Sequence, residues 1–210
     1  MGGLTVSILE ALKENNIPVV HTVHDYRLIC PAYLFLNGRN EICEQCKKEK
    51  FYRCVFNKCS EKSLAQSGML ALDAYFRKWY KSPYKFMDYL IFVSNFVMQK
   101  HKEFGLPEKI KFSVQSNFIS NLETIVPNYQ QGEYFLFFGR LSREKGILTL
   151  IESALNSNIK LKILGTGALF NQIKEQETDN IEVVGFKQGE ELIQIIRNAS
   201  FIIIPSEWFE

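Results

Sequence analysis

The sequence lacks a dominant charge: its 210 residues carry 25 Lys and Arg against 23 Asp and Glu, a net charge of +2. A chain so balanced lacks the basic surface typical of nucleic-acid-binding domains, and we expect no nucleic-acid partner. It also lacks any run of about 20 apolar residues, and no basic segment precedes its first apolar residues, so no membrane-spanning helix or secretory signal is predicted. The hydrophobic content of 46% is that of a globular protein. We therefore expect a cytoplasmic protein.

All five cysteines lie between residues 30 and 59, in a stretch without helical or strand periodicity. Their odd number in a chain that we expect to be intracellular argues against a complete disulfide framework. The compact part of the set reads C-x2-C-x7-C-x4-C and consists of Cys43, Cys46, Cys54 and Cys59. Four thiolates can close a structural zinc site, so we predict an irregular insertion at residues 30–59 that zinc holds together. Ordinary thiols and an alternative ligand set that includes Cys30 remain open.

The order of apolar segments indicates an α/β fold. From residue 134 onward, predicted strands alternate with predicted helices, which is typical of a parallel sheet covered on both faces. The runs FLFF at residues 135–138 and FIII at residues 201–204 favour strands buried on both sides. Earlier in the chain, strands are predicted at residues 17–23 and 88–93, and Ser94 is placed to cap the helix that follows the second. We place a domain boundary between residues 117 and 118, giving units 1–117 and 118–210.

The segments that follow the predicted strands contain the candidate binding residues, because ligands of parallel sheets bind beyond the carboxyl ends of strands. Gly139 and Arg140 follow one strand, and Lys145 opens the next helix. Glycines allow close approach, and a helix N-terminus with two cations suits a diphosphate. Gly165 and Gly167 make a second glycine turn of this kind. For both turns, simple packing or a solvated loop is the alternative.

Two further strand ends have polar residues that could contact a ligand. His24 and Asp25 follow the early strand, and an imidazole there could hydrogen bond a ligand hydroxyl or act as an acid or base. Two carboxylates, Glu207 and Glu210, follow the FIII run. A structural histidine and a solvated chain end are the alternatives.

The motifs HTVHDYRLICP, DYLIFVSNF, FFGRLSREKGI, ILGTGA, VVGF and IIIPSEWFE occur in an order that resembles the retaining glycosyltransferases of family 4, which have the GT-B fold. The resemblance implies two Rossmann-like domains, both incomplete, since the family's first strands and last helices have no counterpart in this sequence. It implies that Arg140 and Lys145 hold the donor diphosphate. It also implies that His24 and Glu210 contact the donor sugar, and that Phe186 and Lys187 lie near the nucleobase.

The function implied by the resemblance is sugar transfer from a nucleotide-diphosphate donor to a glycan or lipid-linked acceptor, with retention of anomeric configuration, in polysaccharide or cell-surface glycan biosynthesis. No cofactor is expected for catalysis, because fixed cations can stabilise the leaving diphosphate. The aromatic and basic segment at residues 75–86 suggests peripheral contact with the inner face of the membrane, with a core helix as the alternative. A truncated, non-catalytic nucleotide-sugar-binding or scaffolding module is the alternative function.

Overall fold

The computed structural model describes residues 6–60, 63–118 and 132–209, and it divides the chain into two compact units, residues 1–120 and 121–210. Each unit contains a sheet whose strands all pair in parallel. The α/β fold with parallel sheets that the sequence predicts is thus confirmed. Among the described residues, no helix is both long and apolar enough to cross a membrane.

The first unit is built on three short strands in the order β1-β2-β3. They are β1 (Val20–Val23), β2 (Tyr89–Phe92) and β3 (Lys111–Val114). Leu90 and Phe92 of the middle strand are fully buried, and the ring of His101 lies 5.1 Å from that of Phe92. The sequence pattern does not predict β3, because its Lys and Ser residues interrupt the apolar positions.

In the described part of the first unit, four α-helices accompany this sheet. They are α1 (Val6–Glu14), α2 (Tyr52–Phe56), α3 (Leu64–Trp79) and α4 (Asn95–Glu103). Ser63 and Ser94 precede α3 and α4, and each hydroxyl accepts a hydrogen bond from a backbone N–H in the first turn, at 3.3 and 3.2 Å. Such caps satisfy donors that a helix start leaves without intrahelical partners. The predicted cap at Ser94 is confirmed.

The cysteine-containing insertion has more internal structure than its sequence pattern predicts. Leu36 and Ile42 form an antiparallel bridge, and α2 lies within the same segment. Phe35 and Phe51 are buried, with 1% and 8% of their surfaces exposed, and the Phe51 ring packs against Tyr75 of α3 at 5.1 Å. Aromatic packing therefore anchors this segment, although its sequence shows no helical or strand periodicity.

The described residues of the second unit form four strands in the order β6-β5-β4-β7 and three α-helices. The strands are β4 (Tyr134–Phe138), β5 (Leu161–Leu164), β6 (Ile181–Gly185) and β7 (Ala199–Ile202). The helices are α5 (Ile147–Leu155), α6 (Phe170–Lys174) and α7 (Gly189–Arg197). This order places β7, the last strand, beside β4, the first, so that residues far apart in sequence become neighbours.

The core of the second unit consists of two clusters: one includes Ile163 of β5 and Ile147 of α5, and the other includes Leu136 of β4, against which Leu192 and Ile195 of α7 pack. Leu136 and Ile163 on the strands and Ile147 on the helix have no exposed surface. The prediction that FIII forms a fully buried strand is wrong: Phe201 is 66% exposed and Ile204 is 77% exposed. In the strand order, β7 is the last in the row, and residues 203 and 204 extend beyond its end.

Candidate functional site

The carboxyl ends of β4, β5 and β6 are joined through their glycines. The N–H of Gly139 donates to the carbonyl of Leu164 at 3.0 Å, and the N–H of Gly165 donates to the carbonyl of Gly185 at 2.9 Å. Gly165 has a φ of 134°, and a Cβ at this position would lie 1.8 Å from the carbonyl oxygen of Gly139. Since only glycine tolerates both the conformation and the contact, this residue fixes how closely the two turns approach.

These strand ends form one side of a cleft of about 350 Å³, which we call the strand-end cleft. It is lined by Phe138, Gly139, Arg140, Leu164, Gly165, Thr166, Phe186, Lys187 and Leu192. Five of the residues predicted as donor contacts thus meet in one place, although they come from three separate turns of the chain. Thr166 and Leu192 belong to the same cleft and are missed by the sequence argument, because neither has a distinctive pattern.

The charged groups of the strand-end cleft differ in their surroundings. Arg140 is exposed, and among the described residues no carboxylate forms an ion pair with its guanidinium. Lys187 forms an ion pair with Glu191 one turn along α7. Phe186 is 66% exposed beside them. The cleft therefore offers an accessible cation, a cation held by a carboxylate, and an exposed aromatic ring.

Lys145 and Gly167 are not among the residues that line the cleft. A Cβ on Gly167 would lie 2.4 Å from the carbonyl oxygen of Leu141, so this glycine serves close packing of the turn. Lys145 lies just before α5, and its ammonium is 5.5 Å from the ring centroid of Trp208. The structure thus places Lys145 at the helix start, as the sequence indicates, but in contact with an aromatic residue that the sequence argument does not single out.

The segment that follows β7 packs against the start of α5. The N–H of Glu207 donates to the carbonyl of Glu144 at 2.9 Å, and the Glu207 carboxylate accepts a hydrogen bond from the Thr149 hydroxyl. A Cβ on Gly146, whose φ is 67°, would lie 1.9 Å from the carbonyl oxygen of Pro205. Glu210, the predicted sugar contact, lies outside the described residues.

His24 belongs to the first unit and directly follows β1. Its side chain is exposed, and the adjacent Asp25 accepts a hydrogen bond from the N–H of Arg27 at 2.9 Å, which forms a tight turn. Burial lowers the pKa of the nearby His21 imidazole. The exposed position of His24 is compatible with a contact to a ligand.

All five cysteines are free thiols, and Cys30, Cys46 and Cys54 are buried. Burial raises the pKa of Cys30 to about 11, and burial together with neighbouring thiolates raises the pKa of Cys46 to about 12. A hydrogen bond between the side chains of Cys54 and Cys59 raises the pKa of Cys59. Within residues 6–60, 63–118 and 132–209, no three His, Cys, Asp or Glu side chains are arranged to hold a metal ion. The zinc site on Cys43, Cys46, Cys54 and Cys59 stays a prediction.

Comparison with known sequences bears on the second unit above all. Residues 119–210 match the family model described as Glycosyl transferases group 1. An uncharacterized glycosyltransferase of Methanocaldococcus jannaschii is 30% identical over 84 residues, which cover 37% of this chain and 24% of that protein. An uncharacterized 42.6 kDa protein in the cps region of Klebsiella pneumoniae is 27% identical over 220 residues, covering 100% of this chain and 50% of that protein. The chain thus spans half or less of the length of these curated relatives.

Solved structures share the fold at low sequence identity. The apo form of the lipopolysaccharide outer core galactosyltransferase WaaB superposes with a TM-score of 0.51 at 16% identity, over 95% of this chain and 53% of that chain. A mutant of S. aureus TarM, in complex with fondaparinux, alpha-GlcNAc-glycerol and UDP, gives a TM-score of 0.51 at 17% identity, over 63% of this chain and 28% of that chain. The chain thus shares its fold with these two solved structures, and residues 119–210 are similar to the glycosyl transferases group 1 family.

Proposed function

We propose that this protein is a retaining glycosyltransferase that moves a sugar from a nucleotide-diphosphate donor to a glycan or lipid-linked acceptor, in the biosynthesis of polysaccharide or cell-surface glycan. The observation that carries the proposal is the strand-end cleft, where the accessible guanidinium of Arg140 stands beside the turns at Gly139 and Gly165. Ligands of parallel α/β sheets bind at the carboxyl ends of strands, and an arginine fork suits phosphate oxygens. The family match of residues 119–210 supports glycosyl transfer.

The main electrostatic demand of this reaction is the negative charge that develops on the departing diphosphate. Arg140 and Lys145 would supply positive charge, and the N-terminus of α5 would add its dipole, so no catalytic cofactor is needed. The bond from the anomeric carbon to the leaving phosphate oxygen breaks while the acceptor oxygen bonds to the same face of that carbon. The acceptor proton passes to the departing phosphate oxygen. His24 and Glu210 would contact the donor sugar.

The nucleobase end of the donor would lie near Phe186 and Lys187. The exposed ring of Phe186 offers a face for base stacking, which tolerates any base. Lys187 is oriented by its ion pair with Glu191. The cleft thus has phosphate-binding groups at one set of turns and an aromatic surface at another, which supports a nucleotide as the ligand.

Nucleoside diphosphate binding tests this assignment directly. Titration calorimetry with UDP, GDP and ADP should show saturable binding of at least one, and Arg140→Ala should weaken it about tenfold or more, because a charge-assisted hydrogen bond contributes about 1.5–3 kcal/mol. Arg197→Ala, an exposed arginine near Glu190 on α7, is the matched control and should bind as the parent does. Equal affinities of the parent and Arg140→Ala would contradict the proposed site. Binding without transfer to any acceptor would favour the non-catalytic module.

The outward face of α3 supports an acceptor at a membrane surface. Met69, Leu72, Phe76 and Trp79 recur at helical spacing and are 51% to 70% exposed. They lie opposite the buried side chains of Ser67, Ala71 and Ala74. A surface helix with aromatic and aliphatic residues on its outer face suits insertion into the headgroup region, so peripheral contact with the inner face of a membrane forms part of the proposal.

A further inference from the structure

The contact between Lys145 and Trp208 joins two parts of the chain that are 63 positions apart in the sequence. Lys145 ends the short turn Arg143–Lys145 directly before α5, and the Trp208 ring follows β7. The contact exists because β7 pairs with β4, which brings the end of one strand beside the helix that follows the other. The lysine that would hold the diphosphate is thus in contact with a residue from outside its own turn.

The segment that leads to Trp208 is fixed against the start of α5 by the two residues Pro205 and Glu207. The backbone of Glu207 donates to Glu144, and its carboxylate accepts from Thr149, one turn into α5. The carbonyl of Pro205 occupies the space that a side chain at Gly146 would fill. These contacts fix the backbone directly before Trp208 against the start of α5, so the ring extends from an anchored position beside Lys145.

The position of Lys145 creates an electrostatic problem that an aromatic ring can solve. The N-terminus of a helix carries a partial positive charge, which repels an ammonium group placed beside it. A lysine side chain is also flexible, and its alternative rotamers would carry the ammonium into solvent. The face of a tryptophan attracts a cation without carrying a formal negative charge of its own, so it can hold the ammonium while leaving the site attractive to an anion.

We propose that Trp208 is a positioning residue that holds the Lys145 ammonium at the start of α5 for the diphosphate of the donor. The proposal rests on the proposed function, because Lys145 meets a diphosphate only if the strand-end cleft binds the donor. Trp208 acts through Lys145. Its removal should therefore matter only while the lysine is present.

A double-mutant cycle tests this dependence, with UDP as the probe and the full chain as the protein. Trp208→Leu should weaken UDP binding about three- to tenfold, in line with cation–π contacts at partly buried sites. Trp208→Phe, which keeps an aromatic face, should bind within about twofold of the parent. In the Lys145→Gln background, Trp208→Leu should change affinity by less than about twofold, because coupled residues give non-additive effects. The proposal would be overturned if the losses of UDP affinity caused by Trp208→Leu and Lys145→Gln were fully additive in the double variant. It would also be overturned if Lys145→Gln weakened UDP binding while Trp208→Leu left it unchanged.

A second readout needs no ligand. The chain has 2 tryptophans, so Trp79→Phe leaves Trp208 as the sole tryptophan, which can be excited selectively over the tyrosines. In that background, Lys145→Gln should change the emission of Trp208, whereas the replacement of Lys174, a lysine of α6 that pairs with Glu177, by Gln should not. Unchanged emission with Lys145→Gln would show that the contact is absent and would overturn the proposal. If the parent binds no nucleoside diphosphate, the proposed function fails, and the emission still decides whether the ring holds the lysine.

Discussion

Acid should destabilise the first unit through the burial of one imidazole. His101 of α4 has no exposed surface, and its Nδ1 donates to the carbonyl of Val97 at 2.9 Å. The rings of Phe92 and Tyr26 lie 5.1 and 6.1 Å away. No described residue hydrogen bonds to Nε2, so a second proton there would be buried without an acceptor.

The size of the effect follows from the pKa of this group. Burial lowers the pKa of His101 to about 4, with the charge of His21 adding to the decrease and that of Asp25 and the hydrogen bond to Val97 opposing it. In the unfolded chain the imidazole has its ordinary pKa of about 6.5, so between these values the unfolded state binds a proton that the folded state does not. Stability is therefore complete above about pH 6.5 and falls with decreasing pH. The loss is about 2 kcal/mol at about pH 5 and approaches about 3 kcal/mol below about pH 4.

Two measurements check this reasoning. The chain has 3 histidines, so proton NMR titration can resolve each imidazole, with His101→Gln providing the assignment. Urea unfolding of the parent and of His101→Gln at about pH 7 and pH 5 then isolates the contribution of this residue, because all other titrating groups cancel in the comparison. The parent should lose about 2 kcal/mol more than the variant. A measured pKa near 6.5, or equal losses in the two proteins, would refute the argument.

Three further predictions concern the turns, the cysteines and α3. Gly165→Ala should destabilise the second unit by roughly 1–3 kcal/mol and weaken nucleotide binding, because the new Cβ would meet the Gly139 carbonyl. Thermal unfolding measures the loss of stability. Gly189→Ala is the control and should lose less, because Gly189 also has a positive φ but nothing lies near its Cβ position. Protein purified without added metal should contain about one equivalent of zinc, bound by the C-x2-C-x7-C-x4-C cysteines. Elemental analysis that finds less than about a tenth of an equivalent of zinc, together with five freely titrating thiols, would reject the site. Leu72→Lys should reduce flotation of the protein with vesicles that contain anionic phospholipid. Asn171→Lys makes the same change in charge on α6 and should float as the parent does. Equal flotation of the parent and Leu72→Lys would exclude α3 as the membrane contact.

The sequence predicts the elements of the second unit well and their partners poorly. The sequence predicts a strand at residues 134–138, and β4 has these bounds, because a short aromatic-rich apolar run that ends at a glycine favours a buried strand. The sequence predicts a helix at residues 168–177, but α6 spans only Phe170–Lys174. The exposure of Phe201 depends on which strands flank β7, and periodicity carries no information on strand order.

The sequence likewise predicts some features of the candidate site and misses others. The positions after the strands identify Arg140 and Gly165, because the rule that ligands bind at the carboxyl ends of parallel strands needs only the strands themselves. The pairing of Lys145 with Trp208 could not be predicted, since it depends on β7 lying beside β4. A contact across such a distance in sequence follows from topology, not from the pattern of either segment.

The interlocked glycines at the ends of β4, β5 and β6 restrict how the proposed donor site can change. At Gly165 the approach of the neighbouring turn leaves no space for a side chain, so new donor preferences cannot arise there without moving the strands. Freedom lies at Thr166 and Phe186, whose exposed side chains line the cleft, whereas Leu192 also packs against the core of the unit. A library that randomises Thr166 and Phe186 and leaves the glycines and Leu192 alone should therefore change which nucleotide is bound at little expense in stability, and it offers a practical route to altered nucleotide specificity.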